Sequence, residues 1–273
     1  MKTQGDNNKV KKHAVVTINI GKRYSKMASL TLPTHKAYAK KIGAEFVEIK
    51  EFDLPFIESE YSAYWAKFKL FELLSEYERI IFLDLDTVVQ KNCPNLFDIV
   101  EVEQFAVLYE TDFGIDQTIE INDMIQKMPQ IKWGTEYFNV GVMVMSSCHK
   151  PIFEFNEESQ GGLKYPEQTL LNYNVNKLGC EVFHLPIQFN HMLFLNVDPS
   201  ERIDSYIIHY AGLASEVKDI LIEDDLEKFK SGGTLITEAS LGELIVKKLP
   251  NVNPNSEAIY GRLYKDDEIG LSV

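Results

Sequence analysis

The sequence predicts an α/β fold: a mixed, mostly parallel sheet flanked by helices, followed by a mainly helical C-terminal part. Three observations predict it. Strand-like and helix-like patterns alternate through residues 1–213, which implies crossover connections and a sheet covered on both faces. The segments AVVTINI and RIIFL are nearly continuous apolar runs, as strands buried on both faces should be. From residue 214 to 273 the pattern turns mostly helical, and this stretch reads as an appendage of the same domain.

The elements follow in order. Residues 13–20 are β-branched and apolar and form the first strand. Residues 24–42 carry helical apolar spacing and stop at Gly43, a suitable C-cap. AEFVEI at 44–49 alternates as a second strand. Trp65, Phe68, Phe71 and Leu74 recur at every third position, which predicts an amphipathic helix over 62–77. Strands are expected at 79–83, 104–109, 137–145, 181–185 and 205–210, and helices at 151–158 and 166–178.

With 28 basic residues against 41 acidic ones, the net charge is −13. That charge excludes nucleic acid or an anionic membrane as the main partner. It also means that a phosphate-bearing ligand needs local positive charge, which a divalent cation supplies. Cys93, Cys148 and Cys180 are sparse and lack Cys-x-x-Cys spacing, so free thiols in a reducing compartment are expected. The start of the chain is polar, and no stretch of ~18 residues is apolar enough to span a bilayer. The expected location is cytoplasmic.

The most informative segment is Ile80-Ile81-Phe82-Leu83-Asp84-Leu85-Asp86-Thr87-Val88-Val89. A buried run delivers two carboxylates at the carboxyl end of a strand, where open α/β sheets bind ligands. In an extended backbone, residues i and i+2 point the same way, so Asp84 and Asp86 would face one cation together. Neighbouring carboxylates repel, and Mn²⁺ or Mg²⁺ relieves that repulsion with oxygen ligands. The competing reading is a solvated turn or a helix cap.

Further motifs follow in order: Tyr137-Phe138-Asn139-Val140-Gly141-Val142, then Tyr165-Pro166-Glu167-Gln168, then His209-Tyr210-Ala211-Gly212. With the Asp-x-Asp segment, they make the chain resemble the nucleotide-sugar glycosyltransferases of the GT-A fold, particularly family 8. The start of the chain, HKAYAKKIGAEFVEI, is nearer to the galactosyl- and xylosyltransferases of family 34. The resemblance covers residues 14–212. It implies retaining transfer of a sugar from a nucleoside diphosphate donor, a UDP-sugar, to a saccharide or other hydroxyl acceptor. It also implies Mn²⁺ (or Mg²⁺) held by Asp84, Asp86 and His209.

By the same resemblance, Glu167 and Gln168 sit beside the anomeric carbon, and Asn139 and Gly141 surround the donor sugar and acceptor pocket. Lys67 matches a donor-binding cation, with Lys69 as fallback and a solvated lysine as the plain alternative. Leu85 and Gly212 fall within the matched donor-binding segments. Where the family's first strand ends in acidic residues near the base, this chain offers Thr17, Asn19 and Tyr24. The family's lysine three residues after the final glycine is replaced by Ser215, which leaves Lys218 as the substitute for gripping the leaving phosphate. Tyr61, Tyr64 and Trp65 are either an acceptor-stacking floor or core. Two other functions stay open: a sugar nucleotidyltransferase, for which Gly21-Lys22-Arg23 is the only trace of a phosphate loop, and a non-catalytic GT-A binding domain.

Overall fold

The computed structural model describes residues 11–52, 62–155, 164–195, 199–233, 235–236 and 238–249. β1 (Lys11–Ile18) leads through a 3-10 turn into α1 (Ser25–Lys41) and β2 (Glu45–Ile49). The expected helix over 62–77 is instead α2 (Ser62–Trp65), a 3-10 segment (Ala66–Lys69) and α3 (Leu70–Leu73). Apolar residues at every third position match the 3-10 repeat of three residues per turn better than the α repeat of 3.6. β3 (Tyr77–Leu83), β4 (Thr87–Val89), α4 (Leu96–Ile99) and β5 (Phe105–Tyr109) follow.

Next come α5 (Thr118–Lys127), β6 (Phe138–Ser146), α6 (Pro166–Leu178), β7 (Val182–His184), β8 (His191–Met192) and β9 (Ile207–His209). α7 (Ser215–Ser231) and α8 (Glu238–Lys248) form the helical C-terminal part. The helix expected over 151–158 is a 3-10 turn, Ser147–Phe153, and positions 156–158 lie outside the described residues. Pro151 inside it cannot donate an α-helical hydrogen bond. α5 escaped the sequence reading.

The main sheet has the order β2-β1-β3-β6-β5-β7. β6 is antiparallel to both neighbours, and the other pairings are parallel. Alternate residues of its central strands feed opposite layers. Ile80, Phe82, Met143 and Met145 face one apolar layer, while Ile81, Leu83, Val142 and Val144 face the other. Burial on both faces explains why these runs are uninterrupted in sequence.

A second sheet, ordered β4-β9-β8, contains the strand expected at 205–210. Its apolar side joins α1, α7 and α8 through Leu32, Val88, Ile208, Leu221 and Ile245. The buried pair Arg202–Asp225 (2.6 Å), with Tyr210 donating to Asp225 (2.9 Å), locks α7 against β9.

His35 on α1 pins β4. Its Nε2 lies 2.8 Å from the Thr87 carbonyl and 2.9 Å from Thr87 Oγ1, and its Nδ1 has no hydrogen-bond partner among the described residues. Full burial pushes its pKa down to about 4. The unfolded chain takes up this proton near pH 6.5, so the stability contribution is complete above that value and lost as pH falls toward 4. The loss is on the order of 3 kcal/mol. Urea unfolding across this window should show the wild type losing stability faster than His35→Gln, and parallel curves would contradict the assignment.

Candidate active site

The site is built on the connection from β3 to β4. Asp84 N donates to the Gly141 carbonyl on β6 at 2.8 Å, tying the end of β3 to its neighbour. The Asp84 carbonyl then accepts from Thr87 N (3.1 Å) and Thr87 Oγ1 (2.8 Å), closing a tight turn over residues 84–87. This corrects the extended geometry expected for Asp84 and Asp86. The chain must reverse here to pass from the main sheet into the second one.

Their carboxylates converge through tertiary contacts. The Asp86 carbonyl accepts from Tyr210 N at 2.9 Å, and Thr87 is in register with His209 across β4 and β9. One side-chain ligand atom from each of Asp84, Asp86 and His209 falls within 4.8 Å of the others. His209 Nε2 lies 3.3 Å from Asp86 Oδ1. Two carboxylates and an imidazole nitrogen are a fitting donor set for a divalent transition-metal ion.

The His209 ring lies directly over Gly141. A Cβ on this glycine would sit 2.3 Å from His209 Cε1 and 2.8 Å from its Nδ1. Gly212, with φ +75, makes the turn that leads from β9 into α7, a backbone shape that suits glycine.

Two lysines supply the local positive charge that the acidic chain lacks. Lys67, 2% exposed, lies 3.2 Å from Asp84 Oδ1 and 3.5 Å from Glu167 Oε1. Burial favours loss of its proton, but these two carboxylates prevail and raise its pKa. Lys69 instead donates to the Glu51 carbonyl at 3.3 Å. Lys218 lies one helical turn beyond Ser215 on α7 and reaches Asp86 Oδ2 at 2.6 Å.

The carboxylates separate accordingly. Burial raises Asp84 and Glu167 above the ordinary range, against the pull of Lys67. Burial also acts upward on Asp86, but Lys218 and His209 outweigh it and hold Asp86 well below that range.

Behind the turn lies a cluster of buried amides. Gln168 Oε1 accepts from Val140 N at 3.2 Å and from Asn139 Nδ2 at 3.4 Å. Asn139 Nδ2 also donates to Glu110 Oε1 at 2.9 Å. Glu110 and Asn190, both buried here, were missed in the sequence. Neither stands in a local pattern; tertiary contact alone brings them in.

Ile18, Ile20, Tyr24, Met27, Tyr64, Leu85 and Lys218 line a cavity that also receives Lys67, Asp84 and Asp86. Thr17 is fully buried, and Asn19 donates to Glu48 at 2.7 Å; neither lines this cavity. Trp65 packs against Phe68 and Phe155 in the core, whereas Tyr64 is exposed at the cavity. Tyr61 lies outside the described residues.

The model of the family described as Glycosyl transferase family 8 matches residues 7–215. The chain belongs to this family. This family 8 glycosyltransferase has the GT-A fold, and solved structures share it at low identity. One is a glycosyltransferase involved in glycosylation of the major capsid of PBCV-1 (TM-score 0.57, 14% identity, 78% of this chain and 98% of that one). Another is the bifunctional glycosyltransferase WbbM (TM-score 0.56, 14% identity, 84% of this chain and 50% of that one). A third is an active-site mutant of LgtC (TM-score 0.50, 18% identity, 83% of this chain and 98% of that one). No curated protein matches the chain in sequence. Among the described residues, no helix is long and apolar enough to cross a membrane.

Proposed function

We propose that this family 8 glycosyltransferase moves a sugar from a UDP-sugar to a saccharide or other hydroxyl acceptor, with retention and with Mn²⁺ or Mg²⁺ as cofactor. The observation that carries this reading is the meeting of Asp84, Asp86 and His209 beside the cavity that Tyr24, Tyr64 and Leu85 line. A divalent cation held there would neutralise charge developing on the departing diphosphate.

The chain's own residues supply the rest. Lys218 takes the part of the family's missing lysine and steadies the leaving phosphate from the first turn of α7. Ile18, Ile20 and Tyr24 offer an apolar bed for the base. Gln168 and Asn139, fixed by the hydrogen bond between them and by their bonds to Glu110, hold the donor sugar so that little reorganisation accompanies the reaction. Residues 214–249 belong to the same unit as the catalytic body in this reading, since α7 contributes Lys218.

The test is a panel of nucleotide sugars with Mn²⁺, with release of nucleoside diphosphate as the readout. Pyrophosphate release instead would identify a nucleotidyltransferase, and no turnover of any donor a binding domain.

The stereochemical course has its own test. Glu167 is 7% exposed and engaged with Lys67, which makes it a partner of that lysine rather than a free nucleophile. Same-face attack assisted by the leaving phosphate is therefore the proposed route. Glu167→Gln should retain measurable transfer, reduced by roughly 10- to 100-fold, a cost of about 1.4–2.8 kcal/mol. Complete loss in a folded Glu167→Gln enzyme would favour a covalent intermediate on that carboxylate.

A further inference from the structure

A buried relay of defined polarity joins the amide cluster to His209, and its direction follows from atoms that have only one possible role. The backbone N–H of Gly141 can only donate, so the Asn139 atom 2.8 Å from it is the carbonyl Oδ1. Glu110 Oε1, 2.9 Å from the other end of the same amide, independently calls for a nitrogen there. Because Asn139 Oδ1 can only accept, the Asn190 atom 3.0 Å away must be Nδ2. Asn190 then turns its own Oδ1 toward His209 Nδ1 at 2.8 Å. An amide oxygen has no proton to give, so Nδ1 carries the hydrogen. The other ring nitrogen, Nε2, is the one that faces Asp86 Oδ1 at 3.3 Å. A divalent cation held there would take the Nε2 lone pair and the Asp86 oxygen together.

We infer that Asn190 is a positioning residue that fixes the His209 proton on Nδ1, presents Nε2 as the metal-ligating nitrogen, and ties the metal site to the donor-sugar amides. The inference rests on the metal-site reading above. Nothing in the local sequence around Asn190 signals the role, since Asn190 precedes β8 and meets His209 only through the packing of β8 on β9. Partners that orient a ligating imidazole are worth roughly 10- to 100-fold in metal affinity.

The test has two arms on the full chain. Nitrogen-15 NMR of the imidazoles at pH 8 without metal reads the tautomer, and an electron paramagnetic resonance titration with Mn²⁺ alone reads affinity. The wild type should show His209 protonated on Nδ1. Asn190→Leu should lose the fixed tautomer and bind Mn²⁺ roughly 10- to 100-fold more weakly. Asn190→Asp keeps an acceptor opposite Nδ1 but sets its second oxygen against Asn139 Oδ1, so it should keep the Nδ1 proton and bind Mn²⁺ with an affinity between those of the wild type and Asn190→Leu.

An Nδ1 without a proton in the wild type overturns the inference. So does a folded Asn190→Leu protein with unchanged tautomer and affinity. Should Asn190→Leu not fold, the wild type and Asn190→Asp tautomers decide the matter alone. Failure of the wild type to bind Mn²⁺ defeats the metal-site reading itself, whereas the wrong tautomer defeats only the relay.

Discussion

Asp86→Ala is expected to lower sugar transfer by roughly 10³-fold or more, because charge stabilisation at a metal site is worth several kcal/mol and each tenfold in rate costs about 1.4 kcal/mol. Asp86 is the hub of the site: Oδ1 faces His209 at 3.3 Å and Oδ2 binds Lys218 at 2.6 Å. Its depressed pKa shows that the surroundings favour the ionised form despite burial. Alanine removes a ligand and leaves the Lys218 ammonium without its carboxylate.

The fold should persist. The backbone bonds that hold the turn, Thr87 N to the Asp84 carbonyl and Tyr210 N to the Asp86 carbonyl, do not involve the lost side chain. Diphosphate release with the best donor, alongside Mn²⁺ calorimetry, measures the effect. An Asp86→Ala enzyme within about tenfold of wild type would remove the basis for the proposed chemistry.

Gly141→Ala should be the second most damaging change, although a single methyl group is added. That methyl would lie 2.3 Å from His209 Cε1, 2.8 Å from His209 Nδ1 and 2.9 Å from Asn139 Oδ1. None of these can retreat freely. His209 is 3% exposed and bonded to Asn190, and the Asn139 oxygen serves both Gly141 N and Asn190.

Overpacking of this kind costs about 1–3 kcal/mol of stability. Displacing the His209 ring should also weaken Mn²⁺ binding by roughly 10- to 100-fold. Thermal unfolding and Mn²⁺ titration of the same preparation separate the two effects. A stable Gly141→Ala protein with wild-type Mn²⁺ affinity would show that the ring is not held as described.

The α/β architecture was legible because burial on both sheet faces leaves continuous apolar strands, and such runs survive any detail of packing. The Asp-x-Asp segment, the Asn139-to-Gly141 strand, the Glu167–Gln168 pair and the His209 segment could be found because each occupies one short stretch of chain. Their conformations were less legible. The helix expected through Lys67 is partly 3-10, and the stretch from Asp84 to Asp86 is a turn, since period alone does not report where a chain must reverse.

By itself the sequence determined which residue types are available and in what order: a strand, two carboxylates, a histidine some 120 positions later, and a lysine displaced to 218. Tertiary structure decided their distances. It closed the turn against β6 and β9, laid His209 over a glycine with no side chain, and drew Glu110 and Asn190 behind the ligands. Hydrogen bonding between segments far apart in the chain leaves no local trace, so the polarity of the His209 ring could be read only after folding had brought its partners together.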